Sequence, residues 1–139
     1  MTPVAPNYDG GGERVRLPDQ IRRAILVHAD NCAPNECCGL LAADEKGRIT
    51  FAYPLSNVAP SPVGYTVDPD EHFHALAHAE SMGWEIAGVF HSHPAGPAVP
   101  SVTDVRTALE PGWMYLIAAP GELRGFWIRA GVIEELSLD

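Results

Sequence analysis

The run Cys37–Ala43, CCGLLAA, holds nothing but small or apolar residues over seven positions. A run this short and this apolar suits a buried strand. Arg48–Leu55 (RITFAYPL) reads as its partner, with Asp44-Glu45-Lys46-Gly47 as the turn between them. Before this pair, Ile21, Ala24, Ile25 and His28 fall at helical spacing, which predicts a helix over Pro18–Asn31. After it, Pro60, Pro62 and Gly64 break the chain, and Tyr65–Val67 reads as a short strand. A second helix is expected over Asp68–Met82, with Phe73, Leu76, Ala77 and Glu80 marking its turns and Gly83 ending it. Ile86–His93 (IAGVFHSH) is the candidate central strand. Pro94–Pro100 is a loop, and Ser101–Leu109 a short helix stopped by Pro111-Gly112. Strands at Trp113–Ala119, Gly125–Arg129 and Val132–Leu136 complete the chain. This order predicts an α/β fold, a single mixed β-sheet flanked by helices in two or three layers.

A length of 139 residues suits one domain. Residues 1–14 contain Pro3, Pro6 and Gly10-Gly11-Gly12 and are expected to form a flexible tail, leaving 15–139 as the domain. Asp and Glu number 18 against 9 Lys and Arg, for a net charge of −9. Phosphate backbones and anionic membranes repel such a surface, so no nucleic-acid or membrane partner is expected. No apolar run approaches the roughly 18 residues of a membrane span. Three cysteines, Cys32, Cys37 and Cys38, make a poor disulfide framework and suit a reducing compartment. The N-terminus lacks the basic and apolar regions of a secretory signal, so the expected location is cytoplasmic.

The chemistry concentrates in His91-Ser92-His93-Pro94, followed by Ser101 and Asp104. Residues two apart on a strand share a face, so His91 and His93 present two imidazoles side by side. Pro94 stops the strand and leaves them at its end. Asp104 falls in the first turn of the next helix, and a strand–loop–helix return brings its carboxylate back toward the rings. Two His and one carboxylate, with one position left for water, make up a catalytic zinc site. Zinc-bound water ionises near neutral pH, and hydrolysis also needs a proton carrier that is not a ligand. Glu36, just before the apolar strand, is the candidate, although spacing alone does not place it near His91.

Together, Glu36, His91-Ser92-His93-Pro94 and Ser101-Val102-Thr103-Asp104 resemble the signature of the JAMM (MPN+) metallopeptidases. The resemblance runs from about Pro18 to Leu136. It implies a cytidine-deaminase-like fold and a zinc hydrolase, with Zn2+ held by His91, His93 and Asp104. It further implies that Glu36 moves the proton from water to the leaving amine and that Ser101 hydrogen-bonds the oxyanion. The implied partner is a ubiquitin-like or sulfur-carrier protein, cut at a peptide or isopeptide bond after its C-terminal Gly-Gly. The segment Asn57–Thr66 is expected to line a groove for that tail.

Plainer readings stand beside these. His91 and His93 alone would pass for core histidines. Ser101 and Asp104 have the spacing of a helix capping box. Most Glu residues, like Glu36, are simply exposed. His72, His74 and His78 have no acidic partner at helical spacing that completes a site in the way HExxH does, and read as a partly solvated helix face; His28 reads as a packed residue. Cys37 and Cys38 point to opposite strand faces, at least one of them into the core. The alternative function is a non-catalytic scaffold that binds a ubiquitin-like partner. A deaminase ranks below both, because its His/Cys-x-Glu and Pro-Cys-x-x-Cys motifs are missing.

Overall fold

A seven-stranded mixed sheet forms the spine of the molecule, and it decides where the candidate residues meet. The structure, a computed structural model, describes residues 13–139. In chain order the elements are β1 (Arg14–Val15), α1 (Asp19–Cys32), β2 (Cys38–Ala43), β3 (Ile49–Leu55), α2 (Pro69–Ser81), β4 (Glu85–Ser92), α3 (Val102–Thr107), β5 (Met114–Ala119), β6 (Glu122–Arg129) and β7 (Val132–Leu138). Across the sheet they run β1-β7-β6-β5-β4-β2-β3. β1 with β7 and β4 with β5 are parallel; the other pairs are antiparallel.

The apolar run of β2 is buried at every position because helices cover both faces. On one face, Ile21 and Ile25 of α1 pack with Cys37, Leu41, Phe90 and Leu116. On the other, Ala75 and Ala79 of α2 pack with Cys38, Leu40, Ala42 and Tyr53. Val105 of α3 joins Tyr115, Ile117, Phe126 and Ile128 on that second face. Each fully buried Leu, Ile or Phe contributes roughly 1.5–3 kcal/mol. The expected split of Cys37 and Cys38 between two faces is what the clusters show, and both are fully buried. Gly39 sits opposite Phe90 in the β2–β4 register, and a Cβ there would occupy the space of the Phe90 ring and the Tyr53 carbonyl.

Two expectations need correction. Tyr65–Val67 is not a strand; the segment closes through single bridges, Asn57 to Val67 and Ser61 to Gly64. Its organiser is Asn57, whose Oδ1 accepts from the N–H groups of Ala59 (3.1 Å) and Thr66 (2.9 Å). Asp68 is not the first helical residue but the N-cap of α2, accepting from the Asp70 and Glu71 N–H groups. Arg14, the last residue of the expected tail, pairs with Ser137 in the sheet. Residues 1–12, the rest of that tail, lie outside the described residues. No helix among the described residues is long and apolar enough to cross a membrane.

Candidate metal centre

β4 ends at Ser92, so His91 lies on its last turn-in of backbone and His93 one residue past it. The His93 N–H still donates to the Ala118 carbonyl of β5 at 2.8 Å, which keeps the pair in strand-like alternation on the α2–α3 face. The loop 94–100 then delivers Ser101 as the N-cap of α3, and Asp104 is three residues on. Asp104 N–H donates to Ser101 Oγ (3.0 Å), and Ser101 N–H donates to Asp104 Oδ2 (2.9 Å). The capping box expected from the spacing therefore exists, and it aims the carboxylate back at the strand end.

Three ligand atoms converge there. His91 Nε2, His93 Nε2 and Asp104 Oδ2 are each 3.1 Å from the other two. Ligands about 2.0 Å from a tetrahedral ion stand about 3.3 Å apart, so this triangle has the size of one face of such a site. His93 Nδ1–H donates to the Pro97 carbonyl at 2.8 Å, so the neutral ring presents Nε2 to the triangle as a lone pair, while the protonated ring donates from Nε2 to Asp104. A proton on His93 or a metal ion satisfies the three atoms that meet there, and the neutral ring is the form that ligates a metal. Among the described residues this is the one His/Cys/Asp/Glu group so arranged, and it can hold a metal ion.

Glu36 is brought in by strand register. β2 and β4 are antiparallel with Cys38 opposite His91, so the residue two before Cys38 falls level with the residue two after His91. Cys37 N–H donates to Ser92 Oγ at 2.8 Å and Ser92 N–H to the Cys37 carbonyl at 3.3 Å, locking that register at its end. Glu36 is 6% exposed, with its N–H on the Ser61 carbonyl and its own carbonyl on Asn57 Nδ2. Glu36, His93 and Ser101 line one cleft of about 290 Å³, together with Pro62, Val63 and Pro97. A second cleft, about 270 Å³, opens beside His91 and Asp104 and is walled by Tyr65, Trp113 and Tyr115. A roomier cavity, about 600 Å³, lies at the opposite end of the sheet around Asp44, Glu85 and Trp127 and holds none of these residues.

Charge is arranged to match. Burial pushes the Glu36 carboxyl above its ordinary value, with His91 and His93 pulling the other way. Burial would raise Asp104 too, but the hydrogen bonds from His91 and His93 overrule it and hold that carboxyl well below the carboxylate range. His93 is raised, first by its contact with Asp104.

Three other histidines have partners of their own. His78 Nδ1 hydrogen-bonds the Tyr53 hydroxyl at 2.7 Å, and His74 Nδ1–H donates to the Asp70 carbonyl. His28 Nε2–H donates to the Leu55 carbonyl and packs edge-on to Phe90. Two contributors carry no sequence signal: the Pro97 carbonyl, and Tyr65, whose ring stacks on His91 at 5.3 Å between centroids. Tyr65, Pro62 and Val63 do fall within the 57–66 segment expected to line a groove.

Residues 18–129 match a family model described as prokaryotic homologs of the JAB domain. A desampylase of Haloferax volcanii is 44% identical over 113 residues, spanning 77% of this chain and 81% of that protein. A CysO-cysteine peptidase of Mycobacterium tuberculosis is 33% identical over 118 residues, covering 81% of each. The solution structure of a protein from Desulfitobacterium hafniense superposes with a TM-score of 0.78 at 36% identity, over 90% of this chain and 92% of that one.

Proposed function

The chain belongs to the prokaryotic JAB-domain family, and from that premise we propose that it is a zinc metallopeptidase acting on a ubiquitin-like or sulfur-carrier protein. The bond cut is a peptide or isopeptide bond after the carrier's C-terminal Gly-Gly. The observation that carries this reading is the 3.1 Å triangle of His91, His93 and Asp104, with Glu36 buried in the adjoining cleft. Relatives whose names denote desampylases and carrier-cysteine peptidases support the substrate class.

In this reading His91, His93 and Asp104 hold zinc, two imidazoles and a carboxylate being a donor set that zinc takes in catalytic sites. When bound, the ion supplies Lewis acidity that brings the pKa of a water molecule to about 7. Glu36 takes the proton from that water and hands it to the leaving amine, a role that needs a carboxyl free of the metal. Ser101 Oγ spends a lone pair on the Asp104 N–H, which leaves its hydroxyl hydrogen free to donate to the oxyanion. The cleft lined by Pro62, Val63 and Pro97 adjoins Glu36 and His93 and is the place for a tail of two glycines, which carry no side chains. Residues 15–139 act as one catalytic domain, and three unpaired cysteines fit a cytoplasmic setting.

The test is to incubate the zinc-loaded protein with Gly-Gly carriers that bear a C-terminal extension or a lysine-linked conjugate, and to read masses. Release at the Gly-Gly carboxyl, abolished by a chelator, is expected. Binding with no mass change across such carriers would favour the scaffold reading, which the complete donor set and the buried Glu36 argue against.

A further inference from the structure

We infer that Tyr65 is a positioning residue for the metal centre, its stacked ring holding His91 in ligand geometry where His91 Nδ1 has no hydrogen bond to do so. The inference rests on the metal-binding reading above. The two candidate imidazoles are anchored differently. His93 is fixed at both nitrogens, with Nδ1 on the Pro97 carbonyl and Nε2 in the triangle. His91 is fixed at Nε2 alone; its Nδ1 is buried and has no hydrogen-bond partner. A ligating imidazole ordinarily donates its second N–H to a carbonyl or carboxylate, and that bond sets the ring's orientation. Without it, packing has to set how the ring turns about its Cβ–Cγ bond.

Tyr65 lies over that ring, 5.3 Å between centroids and 30° from coplanar. A flat ring stacked in this way opposes rotation of the imidazole. Tyr65 is itself braced. It packs on the apolar cluster beneath α2. Both chain neighbours are tied to Asn57: the Gly64 carbonyl accepts from Nδ2 at 3.2 Å, and the Thr66 N–H donates to Oδ1 at 2.9 Å. The same Nδ2 reaches the Glu36 carbonyl at 3.1 Å, so one amide sets the backbone of both the stacking ring and the proton carrier.

The test compares wild type with Tyr65→Phe, Tyr65→Leu and Tyr65→Ala. Zinc affinity is read by competition with a chromogenic chelator, ligand geometry by the visible spectrum of the cobalt(II) form, and folding by circular dichroism. Tyr65→Phe keeps the ring and is expected to keep wild-type affinity and spectrum. Tyr65→Leu and Tyr65→Ala are expected to lose roughly 10–100-fold in affinity, the usual cost of removing an outer-shell partner, and to change the cobalt bands. If Tyr65→Ala does not fold, Tyr65→Leu, which restores most of the apolar volume, decides. A folded Tyr65→Leu with wild-type affinity and spectrum overturns the inference, as does an equal loss in Tyr65→Phe. A wild-type protein that binds neither ion at His91, His93 and Asp104 sinks the metal reading itself and is told apart by that.

Discussion

Ser101 and Asp104 hold each other reciprocally, and the oxygen that closes this pair is the one presented to the histidines. Asp104 Oδ2 accepts from the Ser101 N–H at 2.9 Å and lies 3.1 Å from Nε2 of both His91 and His93. Helix capping and ligand presentation are therefore one device, and disturbing either residue disturbs both.

Ser101→Ala removes the acceptor for the Asp104 N–H and the hydroxyl donor together. The lost cap costs about 1 kcal/mol. A lost oxyanion donor costs turnover a factor on the order of 10²–10³. Ser101→Thr, which keeps the hydroxyl, is expected to stay close to wild type in both thermal midpoint and turnover. A Ser101→Ala variant with a lowered midpoint and full turnover would leave Ser101 a cap and nothing more.

Glu36→Gln keeps size and polarity but offers no site for a proton. Metal content by elemental analysis should stay near one ion per chain, while turnover falls by about 10²–10⁴ or more, the scale of a lost general base. His91→Ala is the complement: the metal is lost, and activity with it. Glu36→Gln at full rate would remove Glu36 from the mechanism.

Burial raises the Glu36 carboxyl, opposed by His91 and His93. As a base it works ionised, so turnover of the metal-loaded enzyme should rise with pH as this carboxyl gives up its proton. Stability carries the opposite sign. A group whose folded pKa is raised binds its proton more tightly when folded. Its contribution is fully present below the unfolded value and is lost as pH rises through the folded one. Metal-free wild type should therefore lose stability relative to Glu36→Gln across that window, measured as urea midpoints. Midpoints that track each other from end to end would contradict the assignment.

Gly39→Ala places a methyl where the Phe90 ring and the Tyr53 carbonyl already stand. Overpacking of this kind costs about 1–3 kcal/mol, occasionally more. The backbone carbonyl has no alternative rotamer, so Phe90→Leu in the same chain should restore only part of the loss. A Gly39→Ala thermal midpoint equal to wild type would show that β2 and β4 are not packed as described.

Much of this architecture can be read from the chain because apolar periodicity is local. α1, α2, β2, β3, β4, β5 and the late strands all stand near their expected positions. β1 was hidden for a physical reason: two residues, Arg14 and Val15, have no period, and only pairing with the distant β7 makes them a strand. Tyr65–Val67 misled in the opposite way, since β-rich composition there loses to Asn57, which folds the segment onto itself.

The site divides along the same line. His91, His93 and Asp104 meet through a short return, so spacing brings them together. Glu36 lies 55 residues before His91 in the chain, and its place depends on β2 pairing with β4 rather than with β3 alone. The Pro97 carbonyl and the Tyr65 ring orient the imidazoles through a backbone atom and a flat surface, neither of which leaves a motif.

The most direct test is an anomalous difference map from crystals of the zinc-loaded protein, collected at the zinc edge. One peak per chain is expected, about 2 Å from His91 Nε2, His93 Nε2 and Asp104 Oδ2. A peak on other side chains, with these three bare, would contradict the account.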